Sequence, residues 1–163
     1  MREERSYAIV VACFAAGLYL AVLVAAFGLI SLGTDTEVIP DPSAGPLVGP
    51  IMTGVAVAVL LVLLILTGIR VPGDQQRIAP LNALGAGVAC YLAYCLTGGV
   101  AGALATGDVL HFVLFAAGQL GSLYAIATGA AAVLIMLLYQ LVLVGRFRQR
   151  GRPRWPWERP DDE

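Results

Sequence analysis

Asp, Glu, Lys and Arg are absent from 7–34, 42–69, 78–107 and 109–145, runs of 28, 28, 30 and 37 residues. About 20 apolar residues in helical form cross ~30 Å of hydrocarbon, so every run is long enough to span a bilayer. Lipid offers backbone amides no partners, and a helix is the form in which one segment satisfies its own. A soluble core is excluded by composition. Hydrophobic residues make up 59% of the 163-residue chain and charged residues 13%, against roughly 45–50% and about 25% in soluble domains. The same balance excludes a cytosolic enzyme, a disordered chain, a secreted disulfide scaffold and a nucleic-acid module. The expected fold is all-α, a four-helix transmembrane bundle. Its spans are placed at roughly 7–33, 48–70, 80–105 and 111–145 within one membrane domain over 1–145, followed by a basic tail over 146–163. Pro46 and Pro50 lead into the second span, Pro80 opens the third, and no proline falls mid-span.

The first run follows Arg2 and Arg5 as a secretory signal would, but it is about twice the usual ~7–15-residue apolar region and no Ala-x-Ala site closes it. It reads as a retained signal anchor. Val10-Val11-Ala12-Cys13 is similar to a lipoprotein cleavage box, yet most of a span follows it. All ten basic residues are arginine: Arg2 and Arg5 before span one, Arg70 and Arg77 between spans two and three, and six after span four. The loop at 34–47 and the turn near 106–110 hold none, only Asp35, Glu37, Asp41 and Asp108. Short loops rich in arginine stay in the cytoplasm, so both termini are expected there, in a bacterial plasma (inner) membrane. The exclusive use of arginine over lysine matches a GC-rich bacterial coding bias.

Helices in lipid gain little from burying apolar surface and pack instead through small residues spaced four apart. Span four offers Ala117, Gly121, Ala125 and Gly129, and span three offers Gly85, Ala89 and Ala93, then Gly98 and Gly102. Gly121, Ala125, Gly129, Gly98 and Gly102 are the expected packing residues, within one bundle or between copies. Span two, with its bulky run from Val59 to Leu66, is expected to face lipid. The fourth run is too long for one crossing: 37 helical residues reach ~55 Å. A single strongly tilted helix is the leading expectation, with a separate interfacial helix or lid over 109–118 as the alternative. Val11-Ala12-Cys13-Phe14 and Thr53-Gly54-Val55-Ala56 are echoed, in order, by Val88-Ala89-Cys90-Tyr91 and Thr128-Gly129-Ala130-Ala131. Two duplicated hairpins related by an axis along the membrane normal would produce such an echo.

Ionisable residues inside a membrane are costly and retained for function. The four spans contain only His111, at the outer end of span four. That opposes a proton-coupled exporter, which needs a carboxylate, and a haem site held by two histidines. Length and topology resemble the lipoprotein signal peptidases, but their reaction needs paired aspartates that Asn82-Ala83-Leu84-Gly85 does not supply. Cys13, Cys90 and Cys95 lie within spans with no Cys-x-x-Cys pair, and small apolar packing is expected of them. Asp35, Glu37, Asp41, Asp108 and His111 match no metal-ligand spacing and read as solvated loop charge. No catalytic, cofactor-binding or metal-binding residue is expected, and no enzyme. Asn82, Gln119 and Tyr124 are candidate lining groups for a polar pathway, or else interhelical hydrogen-bonding groups. Tyr139 and Gln140 are expected near the cytoplasmic interface.

The tail carries Arg146, Arg148, Arg150, Arg152 and Arg154, then Trp155 and Trp157. Arginines beside a membrane attract anionic headgroups, at about 1 kcal/mol each, and tryptophan rests at headgroup depth. The tail is therefore expected to anchor and orient the chain, or to dock a partner. Nucleic acid is not an expected partner. The arginine-only basic set, the four short-looped spans and Trp155-Pro156-Trp157-Glu158-Arg159-Pro160 resemble small four-span actinobacterial membrane proteins of unknown function. The resemblance covers essentially the whole chain. It implies a bacterial plasma-membrane location and carries over no catalytic or binding residue. The expected role is a non-enzymatic accessory subunit or scaffold working through helix packing and lipid or protein contacts, in a homo-oligomer or with a membrane-protein partner. The alternative is a small transporter or channel with its pathway between two hairpins.

Overall fold

The computed structural model describes residues 2–35, 47–70, 78–106 and 109–150, with side chains over 6–35, 47–70, 78–104, 110 and 112–145. Five helices follow in order: α1 (Arg2–Thr34), α2 (Val48–Arg70), α3 (Pro80–Thr106), α4 (Val109–Leu120) and α5 (Leu123–Arg150). Four of them, α1, α2, α3 and α5, are long and apolar enough to cross a membrane. Thr34 ends α1, and Asp35 takes the left-handed conformation (φ 51°) that commonly closes a helix.

The helices form a ring: α1 lies beside α2 and α5, α3 completes the circle between α2 and α5, and α4 packs on α3. Tyr139 of α5 donates to the Ala8 carbonyl of α1. The start of α1 and the end of α5 therefore share one end of the bundle, the terminal end. The opposite end, where α1 finishes and α2 begins, is the loop end.

Each inward face repeats every three or four residues, as a helix stripe requires. In α1 the stripe is Ala8, Ala12, Ala16, Tyr19 and Leu23, and in α2 it is Val48, Met52, Ala56, Leu60 and Leu64. The opposite faces present Phe14, Val24, Leu81 and Leu104 outward. Large apolar residues on the outside suit a bilayer as solvent. Span two was expected to face lipid; most of its surface is outward, but Leu60 and Leu64 are fully buried.

Helices α3 and α5 meet at a pair of glycines. A methyl group on Gly87 would lie 2.4 Å from Val133 Cγ2 and 2.9 Å from the Gly129 carbonyl oxygen. One on Gly129 would lie 3.2 Å from both the Gly87 carbonyl and Tyr91 Cβ. Two backbones thus meet with no side chain between them, the geometry by which small residues replace the hydrophobic drive that lipid removes.

Three expectations need correction. The small stripe Gly85–Ala89–Ala93 is not the α3 seam: Gly85 is exposed with nothing within 4 Å of an added methyl, and Gly87, on a different face, makes the contact. The fourth run is not one tilted helix but two, interrupted at Gly121–Ser122. The echoed residues do not occupy equivalent places. Cys13 is exposed whereas Cys90 is buried, and Gly54 has open space where Gly129 is pressed against Gly87.

Gly87→Ala is expected to destabilise the protein by about 1–3 kcal/mol, because its methyl meets unyielding backbone. Gly85→Ala is expected to be neutral or stabilising by up to ~1 kcal/mol through helix propensity. Thermal unfolding of both variants in one mild detergent checks the pair, and equal melting temperatures would refute the close-contact assignment.

Candidate functional site

The break between α4 and α5 is the most unusual feature of the bundle interior. Both helices run antiparallel to α3 but cover different halves of it. Phe112, Phe115 and Ala116 of α4 fill the space left by Gly98, Gly99 and Gly102 towards the loop end. Gly129 and Gln140 of α5 meet Gly87 and Ala79 towards the terminal end. Tyr91 donates from its hydroxyl to the Leu120 carbonyl at the very end of α4. Tyr91 lies three turns past Pro80, ~17 Å along the axis at about 1.5 Å per residue. That depth is near the middle of a ~30 Å hydrocarbon layer.

Non-helical backbone at such depth is tolerated where the protein satisfies it. Here Ser122 N–H donates to the Gln119 carbonyl at 3.0 Å, and the Ser122 carbonyl accepts from Ile126 N–H at 3.1 Å. Ser122 Oγ accepts from Tyr124 N–H at 3.2 Å, so serine caps the first turn of α5. With the Tyr91 bond to Leu120, the helix ends are largely closed.

Around the break lies a small aromatic and polar group. Phe27 of α1 meets Tyr94 edge-on at 6.0 Å between ring centroids and Tyr124 at 5.3 Å. Tyr94 is 0% exposed, Tyr124 4% and Gln119 5%. Two buried polar atoms here have no hydrogen-bond partner, the Tyr94 hydroxyl and Gln119 Oε1. Among the described residues, other buried polar side chains bond between or along helices. Tyr19 donates to the Thr128 carbonyl at 3.0 Å, and Thr128 Oγ1 donates to the Tyr124 carbonyl at 2.8 Å. Gln140 Oε1 accepts from Ala79 N–H at 2.8 Å while its Nε2 donates to the Ala79 carbonyl at 3.5 Å. That amide clamps the backbone just before Pro80, where α3 begins.

The sequence candidates fall into separate places. Gln119 and Tyr124 flank the break, but Asn82 is exposed near the start of α3, at the terminal end. The three therefore do not line one path. Ala125 and Gly129 are buried on α5, and Gly98 and Gly102 are buried on α3 beneath α4. Gly121 is exposed in the inter-helix turn, with nothing within 4 Å of an added methyl. Tyr139 and Gln140 lie towards the terminal end, where both are buried and bonded to neighbouring backbone. The side chains of Arg146, Arg148 and Arg150, and all of Arg152, Arg154, Trp155 and Trp157, lie outside the described residues. So do Glu37, Asp41, Asp108 and the His111 side chain. Among the described residues no cluster of three or more His, Cys, Asp or Glu could hold a metal ion.

Tyr94 was missed because a tyrosine between Ala93 and Cys95 carries no local motif. Gly121–Ser122 could have been found, since a glycine followed by a capping serine is a stop-and-start signal inside an over-long run.

Four spanning helices, an extra short helix and a charge-free interior define a multi-pass helical membrane protein. The chain belongs to DUF6121, a family of unknown function whose model matches residues 1–163. No curated protein and no solved structure matches it.

Tyr91→Phe removes the side-chain donor to the last carbonyl of α4. A neutral hydrogen bond contributes about 1 kcal/mol net, so amide exchange over 109–120 is expected to rise about fivefold while α5 over 128–143 is unchanged. Hydrogen-exchange mass spectrometry reads both segments, and a uniform rise across the chain would refute a local role for Tyr91.

Proposed function

We propose that this protein is a non-enzymatic accessory subunit or scaffold of a bacterial plasma membrane, with both termini in the cytoplasm. The observation that carries the reading is the use made of the interior polar groups. Tyr19, Tyr91, Tyr139 and Gln140 bond backbone groups of neighbouring helices, and Cys90 Sγ lies 3.7 Å from the Ala56 carbonyl. Their chemistry is spent on holding helices together. Besides the unpaired atoms at the break, what remains for function is the outward apolar surface, suited to lipid and to other membrane helices, and the arginine–tryptophan tail, suited to anionic headgroups or a docking partner. The orientation rests on arginine: all ten lie at or beyond the terminal ends of the spans.

A second reading, a small uncharged-solute carrier, is favoured by one observation, the helix discontinuity at mid-membrane depth. Transporters place such breaks at their substrate sites. Flux through purified protein in liposomes, reduced by Gln119→Leu, would move the balance to this reading.

For the scaffold reading, native mass of the complex extracted in mild detergent is expected to exceed that of one chain. Gly121→Leu is expected to lower that mass while changing stability by no more than about 0.5 kcal/mol, because Gly121 is exposed and an added methyl there meets nothing within 4 Å. A single-chain mass for the wild type would sink the scaffold reading. Cytoplasmic reporters fused at either terminus are expected to be active, and an active export-dependent reporter at the C-terminus would reverse the orientation.

A further inference from the structure

The antiparallel register brings the two unpartnered polar atoms to one level. Phe115 of α4 packs against Gly98 and Gly102 of α3. Gln119 follows one turn later on the same α4 face, and Leu120 is already opposite Tyr91. Gln119 therefore faces α3 between Tyr91 and Gly98, the turn that holds Tyr94. Both side chains are more than nine-tenths buried, and neither the Tyr94 hydroxyl nor Gln119 Oε1 has a partner. A buried polar atom left alone costs about 1–3 kcal/mol, so two at one level of an otherwise bonded interior mark a place where something else completes the pairing.

The chemistry of the place narrows what that is. Gln119 Oε1 can only accept, whereas a tyrosine hydroxyl both donates and accepts. One group that donates to the amide oxygen and accepts from the phenol satisfies both, and a hydroxyl does this. A charged guest is excluded by the surroundings. The residues nearby are the buried Tyr124, Cys95 and Met52 and the partly buried Phe27 and Phe115, with no charged side chain among the described residues of the cluster. An unpaired charge in such a setting is strongly disfavoured.

We propose that the α4–α5 break is a binding site for one uncharged hydroxyl group, held between Tyr94 OH and Gln119 Oε1 under the aromatic edge of Phe27. The hydroxyl belongs to water or to a lipid-soluble alcohol. The site stands on the geometry of the break and holds under either reading of the protein's function.

The test uses the full chain in phosphatidylcholine–phosphatidylglycerol nanodiscs. A diazirine-bearing octanol is photolysed in the presence or absence of excess octanol, beside a diazirine octane lacking the hydroxyl, and labelled peptides are identified by mass spectrometry. The expected result is octanol-competed labelling around Tyr94 or 119–124 that the octane probe does not give. Gln119→Leu and Tyr94→Phe are each expected to weaken the competition about tenfold. Competition in the wild type does not depend on either variant folding. In parallel, water-edited solid-state NMR of glutamine-labelled protein reads transfer from bound water to the Gln119 amide. Transfer that Tyr94→Phe abolishes, without hydroxyl-selective labelling, supports the site with water as its occupant. Labelling that neither variant weakens would overturn the assignment to these two residues. The absence of both selective labelling and water transfer would overturn the site itself.

Discussion

The approach of Gly87 to Gly129 sets the geometry of the bundle. In lipid the flanking medium is as apolar as the helices, so two helices associate through surface contact and hydrogen bonds rather than through expulsion of water. Contact is greatest where backbones come close, and here the Gly87 backbone lies within reach of the Gly129 carbonyl. From that crossing, the long polar side chains reach neighbouring backbones elsewhere along α5. Tyr19 arrives at Thr128, Tyr139 at Ala8 and Gln140 at Ala79. Each is a bond between one polar side chain and a main chain, which satisfies a buried group without introducing charge.

The two parts of the fourth hydrophobic run meet α3 at different levels. The second part meets Gly87, while the first fills the space at Gly98, Gly99 and Gly102 with Phe112, Phe115 and Ala116. Gly121 permits the interruption, Ser122 caps the new helix, and Tyr91 closes the old one. The interruption is thereby stabilised at a depth where loose backbone would be costly. Among the described residues, the buried Tyr94 hydroxyl and Gln119 Oε1 stand unpaired beside it.

The proposed role and the proposed site draw on two regions. The bonded interior and apolar exterior fit a role exercised through neighbours in the membrane. The break adds a local polar point inside that apolar frame, a feature a passive scaffold does not require. Membership of a family of unknown function is compatible with both.

The number, approximate limits and helical form of the spans were legible in the sequence, because four long charge-free runs admit no other way of satisfying backbone amides in lipid. The excess length of the fourth run was legible too, but its resolution was not. Whether a run tilts or breaks depends on the surface it packs against, and that surface is made of glycines on another helix. The sequence also offered α3 several small-residue faces: Gly85–Ala89–Ala93 on one, Gly87 on another, and Gly98 with Gly102 further on. Small residues mark where helices can approach, not which approach occurs. Only the tertiary structure chose Gly87 over Gly85, set Gly121 in a turn, and separated Asn82 from Gln119 and Tyr124. The reason is that period and composition act within one helix, whereas crossing geometry and polar pairing are properties of two.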